Sequence, residues 1–190
     1  DVYKRQLCEW EEPARCEPDP RPPHHLTMGE KYTLAVLGCG TMGTAILSGV
    51  LDARASESTL GPVSSVGSRD ELEPEKADLP THYIATVNRK ESKKRVERHL
   101  EHTEFRDQVE VLVQKNVEAA SRADVVMLAC KPQIVHEILQ EDGMAAALEN
   151  KVLVSICAGV RIAQIRELVP ESVRVVRAMP NTPSKVRGAR

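Results

Sequence analysis

Aromatic residues are nearly missing from this sequence: 3% of 190 residues, with one tryptophan and one phenylalanine. That scarcity removes the stacking platforms on which single-stranded nucleic acids are held. Excess charge is missing too. The formal net charge is −2, so no global field draws the chain to nucleic acid or to an anionic membrane. Apolar runs are short, none approaching the roughly 18 residues of a membrane helix. The five cysteines, Cys8, Cys16, Cys39, Cys130 and Cys157, contain no C-x-x-C pair and make an odd total. They fit the reduced thiols of a cytoplasmic protein better than a disulfide framework. No Ser-His-Asp set or paired carboxylates stand out. His99 and His102 share a helical face, but no carboxylate or cysteine completes a ligand set, so no metal is expected.

The informative stretch is Thr33 to Leu51, T-L-A-V-L-G-C-G-T-M-G-T-A-I-L-S-G-V-L. A short β-prone run, Thr33 to Leu37, leads into Gly38, Gly40 and Gly43 at G-x-G-x-x-G spacing. Ile46, Leu47, Val50 and Leu51 then recur at helical period. In this strand–turn–helix context Gly38 permits the tight turn and Gly40 lets backbone approach a pyrophosphate. Gly43 lets the helix pack on the strand. Free N–H groups and the positive dipole end of the helix face the phosphates, with Cys39, Thr41 and Met42 between the glycines.

Upstream, Asp1 to Thr27 carries Pro13, Pro18, Pro20, Pro22 and Pro23 among charges, too little apolar surface to offset ordering entropy. We expect residues 1–27 to be a disordered or non-native leader, with Met28 a natural start for the domain over 28–190. Downstream, 54–80 is rich in Ser, Gly, Pro and Glu without a period, which predicts a surface insertion.

Further strands are expected at His82–Val87, Val109–Val113, Asp124–Ala129, Val152–Ile156 and Val173–Ala178. Helices fill the intervals: a basic one capped by Asn88 with Glu91 in capping-box position, and a short one begun by Asn116. A third opens at Pro132 and buries Ile134, Val135, Ile138 and Leu139, with Asp142-Gly143 interrupting it. A fourth, Val160 to Val169, turns Ile162, Ile165 and Leu168 inward. Strands apolar on successive residues and separated by helices predict a doubly wound parallel sheet of the α/β class, a Rossmann-type NAD(P)-binding domain. Its site lies at the carboxyl ends of the strands, where Gly38 to Gly43, Asn88-Arg89, Ala129 to Pro132, Cys157 to Gly159 and Met179 to Asn181 gather.

An NAD binder ends its second strand in Asp or Glu; here Asn88-Arg89 stand at that place. A carboxylate would repel a 2′-phosphate, whereas Asn donates and Arg grips with two N–H groups. At about 1.5–3 kcal/mol per charged hydrogen bond, one or two of them favour NADP over NAD by roughly ten- to a few-hundred-fold. NADPH is the expected cofactor, with NADH the alternative. Lys93 or Lys94, one turn on, can add to the field. Cys39, Cys130 and Cys157 read as small apolar residues at a packed cofactor edge.

As a set, four segments resemble pyrroline-5-carboxylate reductase, the last enzyme of proline synthesis. They are L-A-V-L-G-C-G-T-M-G-T-A-I-L-S-G, N-x-E-A-x-x-x-A-D-V-V-M-L-A-C-K-P from Asn116, V-S-I-C-A-G-V from Val154, and V-R-A-M-P-N-T-P from Val176. The resemblance spans about residues 33 to 187 apart from the insertion. It implies reduction of the C=N bond of 1-pyrroline-5-carboxylate to L-proline by NAD(P)H. It further implies that Gly38, Cys39, Gly40, Thr41, Met42 and Gly43 cradle the pyrophosphate and that Asn88 and Arg89 meet the ribose phosphate. Asn116 either contacts the cofactor or only begins its helix. Ala129, Cys130, Lys131 and Pro132, with Cys157, Ala158 and Gly159, would line the nicotinamide. Lys131 has the alternative of being a surface lysine beside Pro132. Asn181 is the candidate on the substrate side. In that family a helical C-terminal domain makes the homo-oligomer and binds the imine's carboxylate, so this chain reads as the cofactor-binding part. The competing readings are another NADP-dependent reductase, acting on an imine or a 3-hydroxy acid, and a non-catalytic NADP-binding module.

Overall fold

The computed structural model describes residues 31–59 and 79–180. The leader, most of the expected insertion, Cys8, Cys16, Asn181 and Pro183 lie outside the described residues. Six strands form one sheet: β1 (Thr33–Leu37), β2 (His82–Val87), β3 (Val109–Val113), β4 (Val125–Leu128), β5 (Val152–Ser155) and β6 (Arg174–Arg177). All neighbours are parallel, in the order β3-β2-β1-β4-β5-β6. The doubly wound sheet expected from the apolar strands is present.

Alternation along the strands explains why both faces are covered. In β1, Ala35 and Leu37 join one core with Val126, Leu128 and Leu153. Helices α3 (Asn116–Arg122), α4 (Val135–Leu139), α5 (Met144–Leu148) and α6 (Ile162–Arg166) close this face through residues such as Ala119, Ala120, Ile138, Met144, Leu148 and Ile165. The other residues of β1, Leu34 and Val36, join a second core with Tyr83, Ala85 and Met127. Helices α1 (Thr41–Thr59) and α2 (Lys90–Leu100) cover it with Leu47, Leu51, Val96 and Leu100. Burying each such side chain contributes about 1.5–3 kcal/mol, so the two helices are held by their apolar stripes although α2 is otherwise basic. No helix among the described residues is long and apolar enough to cross a membrane.

Several expectations need correction. Helix α1 does not stop at Arg54 but runs on through Ala-Ser-Glu-Ser-Thr to Thr59. Arg54 is therefore a helical anchor and not the first residue of the insertion. Its guanidinium donates to Pro80 O (3.0 Å), Thr81 O (3.2 Å) and Gln108 Oε1, and it stacks 4.5 Å from the Phe105 ring centre. Asn88 does not cap α2: the N-cap residue is Arg89, in extended conformation, and Asn88 Oδ1 accepts from Gln114 Nε2 at 3.1 Å. Asn116 is likewise inside α3, with Lys115 at the N-cap. The helix expected from Pro132 is a 3-10 turn over Pro132–Ile134 leading into α4, and left-handed Gly143 (φ 85°) starts α5. Helix α6 is shorter than its apolar spacing suggests; Ile165 is fully buried while Ile162 is exposed.

The Arg54 anchor ties α1 to the entry of β2 and to the turn before β3. Arg54→Ala removes three hydrogen bonds and a cation–π contact, and is expected to cost about 1–3 kcal/mol in urea unfolding. An unchanged midpoint would show that the anchor carries no weight.

Candidate functional site

At the carboxyl ends of the strands, between the β1–α1 turn and the ends of β2, β4 and β5, lies a cleft of about 810 Å³. That is within the range of small-molecule and cofactor sites. Of the three glycines, Gly38 and Gly40 line it, whereas Gly43 lies behind the lining. Gly38 has φ +73°, and a Cβ there would sit 2.5 Å from Cys130 Cβ and 2.8 Å from Cys130 Cα. Only glycine fits, because the turn is left-handed and pressed on the end of β4. Gly43 packs α1 on the sheet: a Cβ would meet Ala129 Cβ at 3.0 Å and Val36 Cγ1 at 3.2 Å. At Gly40 a Cβ would meet only Gly38 O, at 3.9 Å, in a stretch that lines the cleft. Room is left here for a ligand's atoms rather than filled by protein. The first-turn N–H groups of the long helix α1 have no intrahelical acceptors, which makes this end of the cleft receptive to phosphate.

The turn is held by a residue the sequence reading passed over. Thr86, fully buried in β2, accepts from Gly38 N at 3.2 Å and donates to Asn116 Oδ1 at 2.6 Å. Its carbonyl accepts from Cys39 N at 2.7 Å. Asn116 Nδ2 in turn donates to Glu141 Oε1 at 2.5 Å. Asn116 is thus engaged at both ends of its amide and does not line the cleft; it supports the turn from behind. The signal for Thr86 was available: a threonine hydroxyl in the interior of the strand H-Y-I-A-T-V, where burial demands partners.

Beyond the turn, the structure brings Gly38, Cys39, Gly40, Thr41, Met42, Asn88, Arg89, Ala129, Cys130, Lys131, Pro132, Cys157 and Ala158 to the cleft. Gly159 lies instead in an adjoining hollow with Val160, Gln164 and Leu168, behind the shared Pro132 and Ala158. The side chains added by α2 are Ser92 and Arg95, one and nearly two turns past Arg89, which spacing alone did not single out. Lys93 faces Glu97 at 3.7 Å and lies outside the cleft lining, as does Lys94. Met179 and Pro180 complete one wall. Among the described residues lining the cleft there is no Asp or Glu, while Arg89, Arg95 and Lys131 are cationic. The set fits an anionic ligand with a phosphate near the end of β2, where an acidic residue would oppose it. Cys39 is a packing residue: burial pushes its thiol up, against a weak bond from Thr44.

A parallel sheet with a phosphate-receptive glycine turn at the gap between β1 and β4 defines a Rossmann-type dinucleotide-binding domain. Residues 33–159 match the family described as NADP oxidoreductase, coenzyme F420-dependent, and the chain belongs to that family. It is 41% identical over 169 residues to a pyrroline-5-carboxylate reductase of Lophium arboricola, covering 84% of this chain and 51% of that protein. It is 38% identical over 179 residues to the Neurospora crassa protein of the same name, with 83% and 51% covered. The chain thus spans about half the length of the curated relatives it matches. Among solved structures, a Plasmodium falciparum pyrroline carboxylate reductase with NADP bound shares the fold at a TM-score of 0.52 and 24% identity. The match covers 81% of this chain and 44% of that one. A Coxiella burnetii pyrroline-5-carboxylate reductase does so at 0.57 and 21%, covering 81% and 46%.

The glycines separate structural from ligand roles. Gly38→Ala should cost about 2–4 kcal/mol in urea unfolding, from the left-handed φ and the collision with Cys130. Gly40→Ala should change stability by less than about 1 kcal/mol. Equal costs at the two positions would contradict the geometry described above.

Proposed function

We propose that this chain is the cofactor-binding part of a pyrroline-5-carboxylate reductase, which reduces 1-pyrroline-5-carboxylate to L-proline with NADPH. The whole enzyme works in the cytoplasm as a homo-oligomer. The reading is carried by one observation: strand-end segments that are far apart in sequence and resemble those of the reductase family converge on a cleft whose described lining residues are cationic and include no Asp or Glu.

In this reading the N–H groups at the start of α1 and the open space at Gly40 take the pyrophosphate. Arg89, with Arg95 and Ser92 beside it, takes the 2′-phosphate, and Asn88 donates to the same end. Ala129 to Pro132 and Cys157 with Ala158 flank the nicotinamide, largely through backbone, and Met179-Pro180 close one wall of the cleft. The bound cofactor supplies a hydride to the imine carbon. The chain's own contribution is orientation, holding the ring so that donor and acceptor carbons meet at about 3–3.5 Å, and exclusion of water from that face.

Two measurements test this. Titration should show NADPH binding more tightly than NADH, and Arg89→Glu should weaken NADPH by roughly ten- to a few-hundred-fold while moving NADH much less. Equal affinity for the two cofactors would remove the phosphate assignment. A chimaera of this chain with the remaining half of the Neurospora crassa reductase should form proline from 1-pyrroline-5-carboxylate, whereas the 190-residue chain binds cofactor without turnover. Proline formation by the chain alone, or turnover of a 3-hydroxy acid in preference by the chimaera, would overturn the assignment.

A further inference from the structure

Two cysteines that the proposed reduction does not use as reactive groups meet on the floor of the cleft. The register of β4 on β5 pairs Val125 with Val152 and Leu128 with Ser155, a constant offset. Cys130 and Cys157 carry the same offset two residues further on, just past the strand ends. Parallel neighbours lie about 4.8 Å apart, inside the Cα separation that a disulfide tolerates. The side chains point together: Cys130 Sγ and Cys157 Sγ are 4.0 Å apart and both thiols are free. Both residues are buried yet line the cleft, which is the side from which a small oxidant would approach them. Cys39, the other described cysteine, instead faces Thr44.

We propose that Cys130 and Cys157 form a peroxide-oxidisable dithiol, a modification site that closes to a disulfide beneath the cofactor cleft. The hydrogen bond shared by the two sulfurs draws the Cys157 thiol below the ordinary thiol value, although its S–H also has carbonyl acceptors in Cys130 O at 3.3 Å and Leu128 O at 3.5 Å. Burial opposes this and the Ser155 hydroxyl assists it, while the same pairing and burial push Cys130 up. The product is the same whichever of the two sulfurs attacks first. When it is Cys157, the thiolate takes one oxygen of hydrogen peroxide; the S–O bond forms, the O–O bond breaks, and the departing hydroxide gains the proton Cys157 released. The Cys130 sulfur then displaces that oxygen. The S–S bond forms, the S–O bond breaks, and a second water leaves with the Cys130 proton. Two thiols and one peroxide give one disulfide and two waters, and a thiol reductant reverses it.

Closing the pair from 4.0 Å to the roughly 2.05 Å of a disulfide draws the two strand ends together. The displacement reaches the glycine turn directly, because Gly38 rests on Cα and Cβ of Cys130. The oxidised form accordingly holds NADPH less tightly, a consequence that rests on the cofactor reading given above; the disulfide itself does not.

The experiment exposes the 190-residue chain to hydrogen peroxide, digests it without reduction and maps the linked peptides. NADPH is then titrated into reduced, oxidised and dithiothreitol-restored samples. The expected result is a Cys130–Cys157 cross-link with loss of two hydrogen masses, absent from Cys157→Ser, and NADPH affinity lowered at least about tenfold and restored by reductant. Oxidation that stops at sulfinic acid, or links other cysteines while these two stay free, overturns the dithiol. A confirmed cross-link with unchanged NADPH affinity overturns its coupling to the turn. If reduced chain fails to bind NADPH at all, the cofactor reading falls, and the peptide map still decides the dithiol.

Discussion

The constraint on which the site depends is the contact of Gly38 with the end of β4. In the order β3-β2-β1-β4-β5-β6 the chain leaves β1 toward β2 on one side and returns as β4 on the other. Loops diverge at that junction, and a crevice opens above it. The turn after β1 must reverse into α1 without filling the crevice, and it does so by lying on Cys130 where any side chain would collide. Thr86 secures the same turn from the β2 side, with its hydroxyl on Gly38 N and its carbonyl on Cys39 N. Pinned from both neighbouring strands, the turn aims the start of α1 across the gap.

Packing and electrostatics then divide the work. The two apolar layers fix helix positions through many contacts of a kind that no single residue dominates. The rim is different, because few groups decide it and sign matters. A pair of unit charges about 4 Å apart is worth about 4 kcal/mol at the effective dielectric of a protein surface. One carboxylate in place of Asn88 or Arg89 would therefore oppose any ligand phosphate brought to that rim. Arg95 and Ser92 reach the rim because Val96 and Leu100, buried on the sheet, set the phase of α2.

That phase explains much of what the sequence did and did not disclose. Strands were legible because buried parallel strands are apolar on successive residues, and all six lie where their runs placed them. The glycine turn was legible because spacing and flanking elements agreed. Helix ends were not. Ala55 to Thr59 has the composition of a loop yet is helical, joined to α1 just after the side chain of Arg54 is clamped by Pro80, Thr81 and Gln108. Asn88 and Asn116 have the side chains of caps, but each finds a tertiary partner, Gln114 for one, Thr86 and Glu141 for the other. Local propensity yields at Asn116, where the buried Thr86 hydroxyl needs a partner, and at Asn88 to an exposed side-chain bond.

The sulfur pair shows the same limit from the other side. Nothing near Cys130 or Cys157 in the sequence marks them as partners, and each alone reads as a small packing residue. Sheet register makes them a pair, since a slip of one residue would turn one of the two side chains to the opposite face of the sheet. The register is itself over-determined by Val126, Leu128 and Leu153 in one core and Met127 in the other. Thus the packing that fixes the cleft also fixes the spacing of two thiols beneath it, and neither can be altered without the other. A redox-sensitive contact built there needs no separate device to sense it, because Gly38 already lies against Cys130.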